Sequence, residues 1–383
     1  MNKKVHSSRI LVASLTDHHV DGRVARQIEQ LSTDHTVISA GSVPSQLVRE
    51  RVALKSPPVR KDFWHRASSL SLLLSRCYER HYWSRPWVRS AARSLADVDC
   101  DLLLVNDFPL LPIAIRVSRS RPVVFDAHEY YPRQGENERR FRLLMKPYYN
   151  ALCKRYLPQT RSMLTVSAGL AKEYAREFGV DPVLIRNAPS FEKLEPSRRG
   201  NRIRIVYHGV AQRRRNLESL IDVVRAIGDG FELHFMLKTR QSRLQELKQH
   251  AAGCDRIHFH PPVLSQEIAR TINQYDIGVA FFPPVTFNLK HCLPNKFFEY
   301  IQGRLGVLVG PTPDMAEIVE REGCGVIARD FSNEALYEAL TELSSDKVER
   351  MKQRSHEIAS TYCWDVESER FRTVISDALE GPR

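Results

Sequence analysis

The feature that most constrains this chain is an alternation of short, apolar, largely β-branched runs with helix-length segments, and it occurs twice. The first series comprises residues 10–13, 36–38, 102–105, 123–125 and 163–166; the second comprises 203–207, 233–237, 257–259, 277–281 and 307–309. Runs that are apolar throughout, rather than alternating with polar residues, belong to strands buried on both faces. Such strands need helices on either side of a parallel sheet. The first connection fits: Asp21 or Gly22 can start a helix that places Val24, Ile28 and Leu31 on one face. At 383 residues the chain is too long for one ordinary core. The expected fold is α/β, with two tandem Rossmann-like doubly wound domains. The polar stretch 189–201, with Pro189, Pro196 and Gly200, reads as the linker between them. Domains are predicted over 1–195 and 196–360, with 361–383 a C-terminal helix packing back on the first domain.

Doubly wound domains bind ligands beyond the carboxyl ends of their strands, so the expected site is a cleft where two such edges face each other. The net charge of +12 implies attraction to something anionic. Seven cysteines, odd in number, far apart and never in a Cys-x-x-Cys pair, argue against a disulfide framework and a zinc site, and suit a reducing cytoplasm. The basic start, Met1 to Arg9, lacks a signal-type apolar region, and no window of about 20 apolar residues follows. Residues 59–94 interleave basic and aromatic side chains, among them Arg60, Lys61, Arg66, Trp64, Trp83 and Trp87, and hold three of the four tryptophans. That composition suits a surface resting on anionic lipid headgroups, or equally a helical excursion whose aromatics pack on their own domain. No nucleic-acid-binding pattern accompanies it.

Two stretches of the second half carry chemistry. Tyr207-His208-Gly209 ends a strand and is followed by Arg213, Arg214 and Arg215, where a helix should begin. A glycine there admits a ligand close to the backbone, and cations at that place suit a pyrophosphate, although three arginines can also be a solvated loop. The second stretch is Pro294-Asn295-Lys296-Phe297-Phe298-Glu299-Tyr300, a predicted helix with Phe297, Phe298 and Ile301 inward and Lys296 and Glu299 on the opposite face. A carboxylate can accept both hydroxyls of a ribose; an exposed ion pair with Lys296 is the plainer alternative.

These stretches, together with Asp21-Gly22-Arg23-Val24, Phe125-Asp126-Ala127-His128-Glu129, Ile185-Arg186-Asn187-Ala188-Pro189 and Tyr275-Asp276-Ile277-Gly278, resemble glycosyltransferase family 4, the retaining enzymes of GT-B architecture. The resemblance spans nearly the whole chain. It implies that Glu299 holds the donor ribose, that Gly209, Arg213, Arg214, Arg215, Asn295 and Lys296 surround the donor, with Arg215 matching the family's loop lysine, and that His128 lies near the transferred sugar. The chain departs from the family in three places: His291 stands where its first glutamate would contact the donor sugar, Val210 stands where an arginine often follows the strand-end glycine, and the loop Thr16-Asp17-His18-His19-Val20-Asp21-Gly22 lacks the Gly-Gly expected after the first strand.

The resemblance further implies transfer of a sugar from a nucleotide-sugar donor to an acceptor hydroxyl, with retention, no cofactor and no metal. The acceptor is expected to be a glycan or lipid-linked glycan of a cell-surface polysaccharide, and the enzyme cytoplasmic and peripheral on the inner face of the cell membrane. Two other activities fit the architecture: a nucleotide-sugar 2-epimerase, and a binding module without turnover, which the loss of the first glutamate to His291 favours.

Overall fold

The structure, a computed structural model, describes residues 7–55, 63–198 and 200–381, with only the backbone course given over 63–68. The chain divides into two compact units. The first holds residues 1–185, 286–288 and 368–383, and the second holds 186–285 and 289–367.

The first unit is built on a parallel sheet of β1 (Arg9–Ala13), β2 (Thr36–Gly41), β3 (Glu50–Ala53), β4 (Leu102–Val105), β5 (Val123–Ala127), β6 (Ser162–Thr165) and β7 (Pro182–Leu184), in the order β3-β2-β1-β4-β5-β6-β7. The second repeats the plan with β8 (Ile203–Val210), β9 (Phe231–Lys238), β10 (Ile257–His260), β11 (Ile277–Ala280), β12 (Gly306–Val309) and β13 (Gly325–Ile327), in the order β10-β9-β8-β11-β12-β13. In both, the order reverses beside the first strand, between β1 and β4 and between β8 and β11. That reversal is the topological switch point where doubly wound sheets receive ligands. The double-sided apolar pattern has the predicted result: every residue of β4, β5, β11 and β12 is buried.

The sequence patterning passed over three short strands. β3 carries exposed Glu50 and Arg51 at a sheet edge, where one face meets water and no apolar run is needed. β7 and β13 span three residues each, too few for a period to register.

The division between units falls after Ile185, ten residues before the predicted end of the first domain. The stretch read as a linker is fastened to the second unit. The Glu192 N–H donates to Gln302 Oε1 at 3.0 Å, Arg304 donates from Nε to the Leu194 carbonyl at 3.1 Å, and Asn273 donates to the Glu195 carbonyl at 2.9 Å. Polar composition marked it as irregular backbone, and side chains satisfy that backbone. The last helix, Trp364–Glu380, begins in the second unit and continues, from Ser368, in the first.

Of the basic and aromatic segment, residues 59–62 lie outside the described residues, as do the side chains of Trp64 and Arg66. From there the chain forms helices Phe63–Leu74, Tyr78–Trp83 and Pro86–Ala96. The two kinds of side chain part company: Tyr82 and Trp87 are buried in the core of the first unit and Trp83 is half-buried, while Arg80, Arg89 and Arg93 are exposed. Of the two readings, the described aromatics therefore largely follow the one in which they pack on their own domain. Among the described residues no helix is long and apolar enough to cross a membrane.

Candidate functional site

Of the residues predicted to hold a donor, Gly209, Arg215, Lys296 and Glu299 come together at the carboxyl end of β8 in the second unit. The helix Asn295–Gln302 is brought there by packing. Phe297, Phe298, Tyr300 and Ile301 are fully buried, each contributing about 1.5–3 kcal/mol of transfer free energy. A Cβ on Gly278 of β11 would stand 2.1 Å from the Tyr300 ring, so glycine is needed for the helix to lie this close, and the Tyr300 hydroxyl donates to the Val279 carbonyl at 3.1 Å. Pro294 caps the helix start, as the sequence suggested.

Lys296 corrects the sequence reading. It was expected with Glu299 on the face opposite Phe297, Phe298 and Ile301, yet it too is buried, because this helix is covered on nearly all sides. Its ammonium lies 3.5 Å from the centroid of the Tyr207 ring, and the nearest atom to a Cβ built on Gly209 is Lys296 Nζ, at 3.8 Å. Gly209 has φ of +102°, a conformation that side-chain-bearing residues rarely adopt. Burial and the nearby Arg215 charge push the Lys296 pKa well down, with Glu299 acting in the opposite direction.

The three arginines separate. Arg215 stacks over Phe282 with its guanidinium 4.0 Å from the ring centroid, and its Nη1 is buried with no hydrogen-bond partner. Arg213 is held away by Glu246, at 2.8 Å, and Arg214 donates to Gln212 Oε1 at 2.6 Å; both are exposed. Asn295 accepts a hydrogen bond from Asn187 Nδ2 at 2.6 Å.

Glu299 is mostly covered, and its Oε2 lies 3.3 Å from His208 Nε2. Burial, with a smaller contribution from Lys296, lowers the His208 pKa to about 3, so its imidazole is neutral and the contact is not an ion pair. The sequence reading had quoted His208 without giving it a place in the site. It also missed Asp314, whose Oδ2 lies 2.8 Å from His291 Nδ1. Thus a carboxylate does stand beside the position where His291 replaces a glutamate, but it comes from another helix, Pro313–Glu322. Linear spacing could not signal it.

His128 belongs to the first unit, following β5, and is half-buried. Near it, burial holds the Asp107 pKa above the usual carboxylate value, against the Leu15 N–H, which donates to it at 2.6 Å, and His128. Beside them Asn106 is 1% exposed, and neither its amide oxygen nor its nitrogen has a hydrogen-bond partner. A buried amide left unpaired costs about 1–3 kcal/mol, which a hydroxyl-bearing ligand at this strand end would recover. The two Asp-x-Asp pairs of the chain, Asp97 with Asp99 and Asp99 with Asp101, lie on the amino side of β4 instead. There Asp101 accepts the Arg9 N–H at 2.7 Å.

The architecture has close parallels. Sucrose-phosphate synthase from Thermosynechococcus elongatus superposes with a TM-score of 0.71 at 13% identity, over 97% of this chain and 98% of that one. HepE from Anabaena, in complex with UDP-glucose, gives 0.69 at 13% identity over 97% and 100%. A glycosyltransferase from Rickettsia africae gives 0.68 at 13% identity over 98% and 100%. A search of curated proteins by sequence returned no match. Family models do match: Glycosyltransferase Family 4 over residues 23–189, and Glycosyl transferases group 1 over residues 202–346. With each half matched to a glycosyltransferase model, the chain belongs to the GT-B glycosyltransferases of family 4 type.

Proposed function

We propose that this glycosyltransferase draws its sugar from a nucleoside-diphosphate donor held at the carboxyl edge of the second unit's sheet, and passes it with retention to a hydroxyl of a glycan or lipid-linked glycan. The observation that carries the proposal is the pair Lys296 and Arg215: two cations near enough for one to depress the other's pKa, beside a glycine, with Arg215 Nη1 buried and unpaired. A diphosphate relieves that repulsion. Because charge on the diphosphate grows as the glycosidic bond breaks, the two cations stabilise the transition state more than the bound donor. They do this without a metal, and the departing diphosphate can take the acceptor's proton.

Glu299 accepts the ribose hydroxyls in this scheme, and Gly209 and Asn295 line the approach. The Asp314 carboxylate orients His291 toward the sugar. In the first unit His128 attends the transferred sugar, while Asn106 and Asp107 offer bonds to the acceptor. HepE binds UDP and UDP-glucose, which makes UDP the first nucleotide to try.

A panel of nucleotide sugars assayed with the wild type and with Glu299→Ala tests the core of this. Transfer by the wild type, reduced in the variant, is expected; undiminished turnover in Glu299→Ala would remove Glu299 from the donor site. Binding of donor with neither transfer nor hydrolysis would mark a module without turnover, and interconversion of the donor without an acceptor would mark an epimerase.

The proposal extends to a cytoplasmic location at the inner face of the membrane. Its support is a basic cavity of about 700 Å³ in the first unit, lined by Arg89, Arg93, Arg116, Arg119 and Trp83, with Arg116 over the Trp83 ring. Arginines beside a half-buried tryptophan suit anionic headgroups. Co-sedimentation with anionic liposomes should fall in Arg89→Glu/Arg93→Glu, and unchanged binding would sink the membrane extension while leaving the donor site standing.

A further inference from the structure

The second unit gathers three histidines and a glutamate on one face of its sheet edge, away from the donor residues. β9 supplies Glu232 and His234, two residues apart and therefore on the same side. β10, the edge strand, supplies His258, directly opposite His234 in register, and His260. The rings lie nearly parallel: His234 and His258 have centroids 4.7 Å apart at 24°, and His234 and His260 are 5.3 Å apart at 17°. One ligand atom from each of Glu232, His234 and His258 lies within 4.8 Å of the others.

The hydrogen bonding leaves one atom unexplained. His234 Nδ1 is 3.0 Å from His260 Nε2, so that nitrogen is engaged. Its other nitrogen, Nε2, is buried without a hydrogen-bond partner, 3.6 Å from Glu232 Oε2. If Nδ1 donates to His260, Nε2 is a bare lone pair facing a carboxylate, and two acceptors repel. If His260 donates instead, the proton on Nε2 points to an oxygen beyond hydrogen-bond reach. A cation between the two atoms satisfies both. The carboxylate is already fixed for that role, because Arg202 donates to its other oxygen at 2.9 Å. On the inner side, Tyr275 stands 4.7 Å from the His234 ring, and Val206 and Met236 form apolar packing.

We infer that Glu232, His234 and His258 form a binding site for a borderline divalent transition-metal cation of the Zn²⁺ class, with His260 orienting His234 from outside. Two imidazoles and one carboxylate suit such an ion better than Mg²⁺ or Ca²⁺, which prefer oxygen. A tetrahedral ion with bonds of about 2.0–2.2 Å needs its ligand atoms roughly 3.4 Å apart, a contraction that side-chain rotation can supply. The fourth position stays open to water or to a further ligand. The site ties β10 to β9 through side chains as well as backbone, and it lies toward the amino end of β9, with the donor residues at the carboxyl end of β8. Linear spacing conceals it, since the ligands come from two strands that only the register brings together.

The test uses tag-free, full-length protein, stripped with a chelator and titrated with Zn²⁺ against a chromophoric competitor. The wild type should take up one equivalent and gain melting temperature. His234→Ala and His258→Ala should lose that equivalent and the thermal gain, and Glu232→Gln should weaken it. His260→Ala, outside the ligand set, should keep the stoichiometry and lose affinity by about 10-fold. Circular dichroism confirms folding of each variant, and His234→Gln, closer in volume, replaces any alanine variant that fails to fold. Failure of the wild type to compete for any equivalent, or uptake in His234→Ala and His258→Ala equal to the wild type's, overturns the inference.

Discussion

Each unit buries a cation taken from a family motif, and the two are treated in opposite ways. In the first unit Arg23, from Asp21-Gly22-Arg23-Val24, is 4% exposed and fully answered: Nε and Nη2 reach the two Asp126 oxygens at 2.7 and 2.8 Å, and Nη1 donates to the Ile185 carbonyl at 3.0 Å. Gln27 donates to the same carboxylate. In the second unit Lys296 is also buried, at 8% exposed, yet it meets the face of a tyrosine ring and the field of another cation. Satisfaction distinguishes the two. A buried ion whose bonds are complete holds elements together; one whose charged form burial and a second cation both disfavour is held ready for a ligand.

The sharpest way to break this comparison is to remove each cation. Arg23→Met strands the Asp126 carboxylate in the core of the first unit, and should destabilise the protein by about 3–5 kcal/mol. The double variant Arg23→Met/Asp126→Leu should recover much of that in a denaturant titration. If the single variant unfolded no more easily than the wild type, the ion pair would not be the tie that its geometry suggests.

Lys296→Met should do the reverse. Transfer should fall by a factor of about 100–1,000, roughly 2.7–4 kcal/mol of transition-state stabilisation, while the melting temperature rises, because a charge that burial and Arg215 disfavour leaves the core. Loss of activity together with loss of stability would place Lys296 with Arg23, as a structural cation. The sign of the pH effect agrees: the Lys296 pKa lies below its unfolded value, so its burial weighs on stability at neutral pH and the penalty fades as pH rises toward 10.5.

His208 sharpens the comparison on the acid side. Its pKa is about 3 when folded and 6.5 ordinarily, so between those values the unfolded chain binds a proton that the folded one does not. Stability is therefore whole above pH 6.5 and declines as pH falls, by about 2 kcal/mol at pH 5 from this group alone. His208→Asn should flatten that part of the stability profile between pH 7 and pH 5; an unchanged slope would show that other groups set it.

Much of this was legible in the sequence because the signals were local. Runs apolar on both faces fixed the parallel sheets, and Tyr207-His208-Gly209 announced a strand end. What escaped depended on packing across long separations. Lys296 looked exposed because Phe297, Phe298 and Ile301 mark one inward face, but Tyr300 and Gln302 are buried too, and the helix has little solvent side. Asp314 is 23 residues from His291, and a helix, a strand and a loop intervene. In 59–94 composition identified the basic and aromatic residues without showing which would turn inward; Tyr82, whose hydroxyl bonds the Pro109 carbonyl, and Trp87 did so.

The smallest effect tests how far the donor site extends along the arginine run. Arg213 shared the sequence signal with Arg215, but its side chain is 75% exposed and already engaged with Glu246. To reach a diphosphate it must give up that pair, and an exposed pair of this kind is worth about 0.2–1 kcal/mol. The small cost permits the move, but the solvated cation that results gains little by it, since water screens its attraction for the ligand. Arg213→Ala should therefore shift nucleotide affinity less than Arg215→Ala does, and more at low salt than at high salt. Isothermal titration with UDP at two salt concentrations separates the cases. An Arg213→Ala loss equal to that of Arg215→Ala, and insensitive to salt, would mean that the loop closes over the donor and that Arg213 leaves Glu246 to become a buried cation like Lys296.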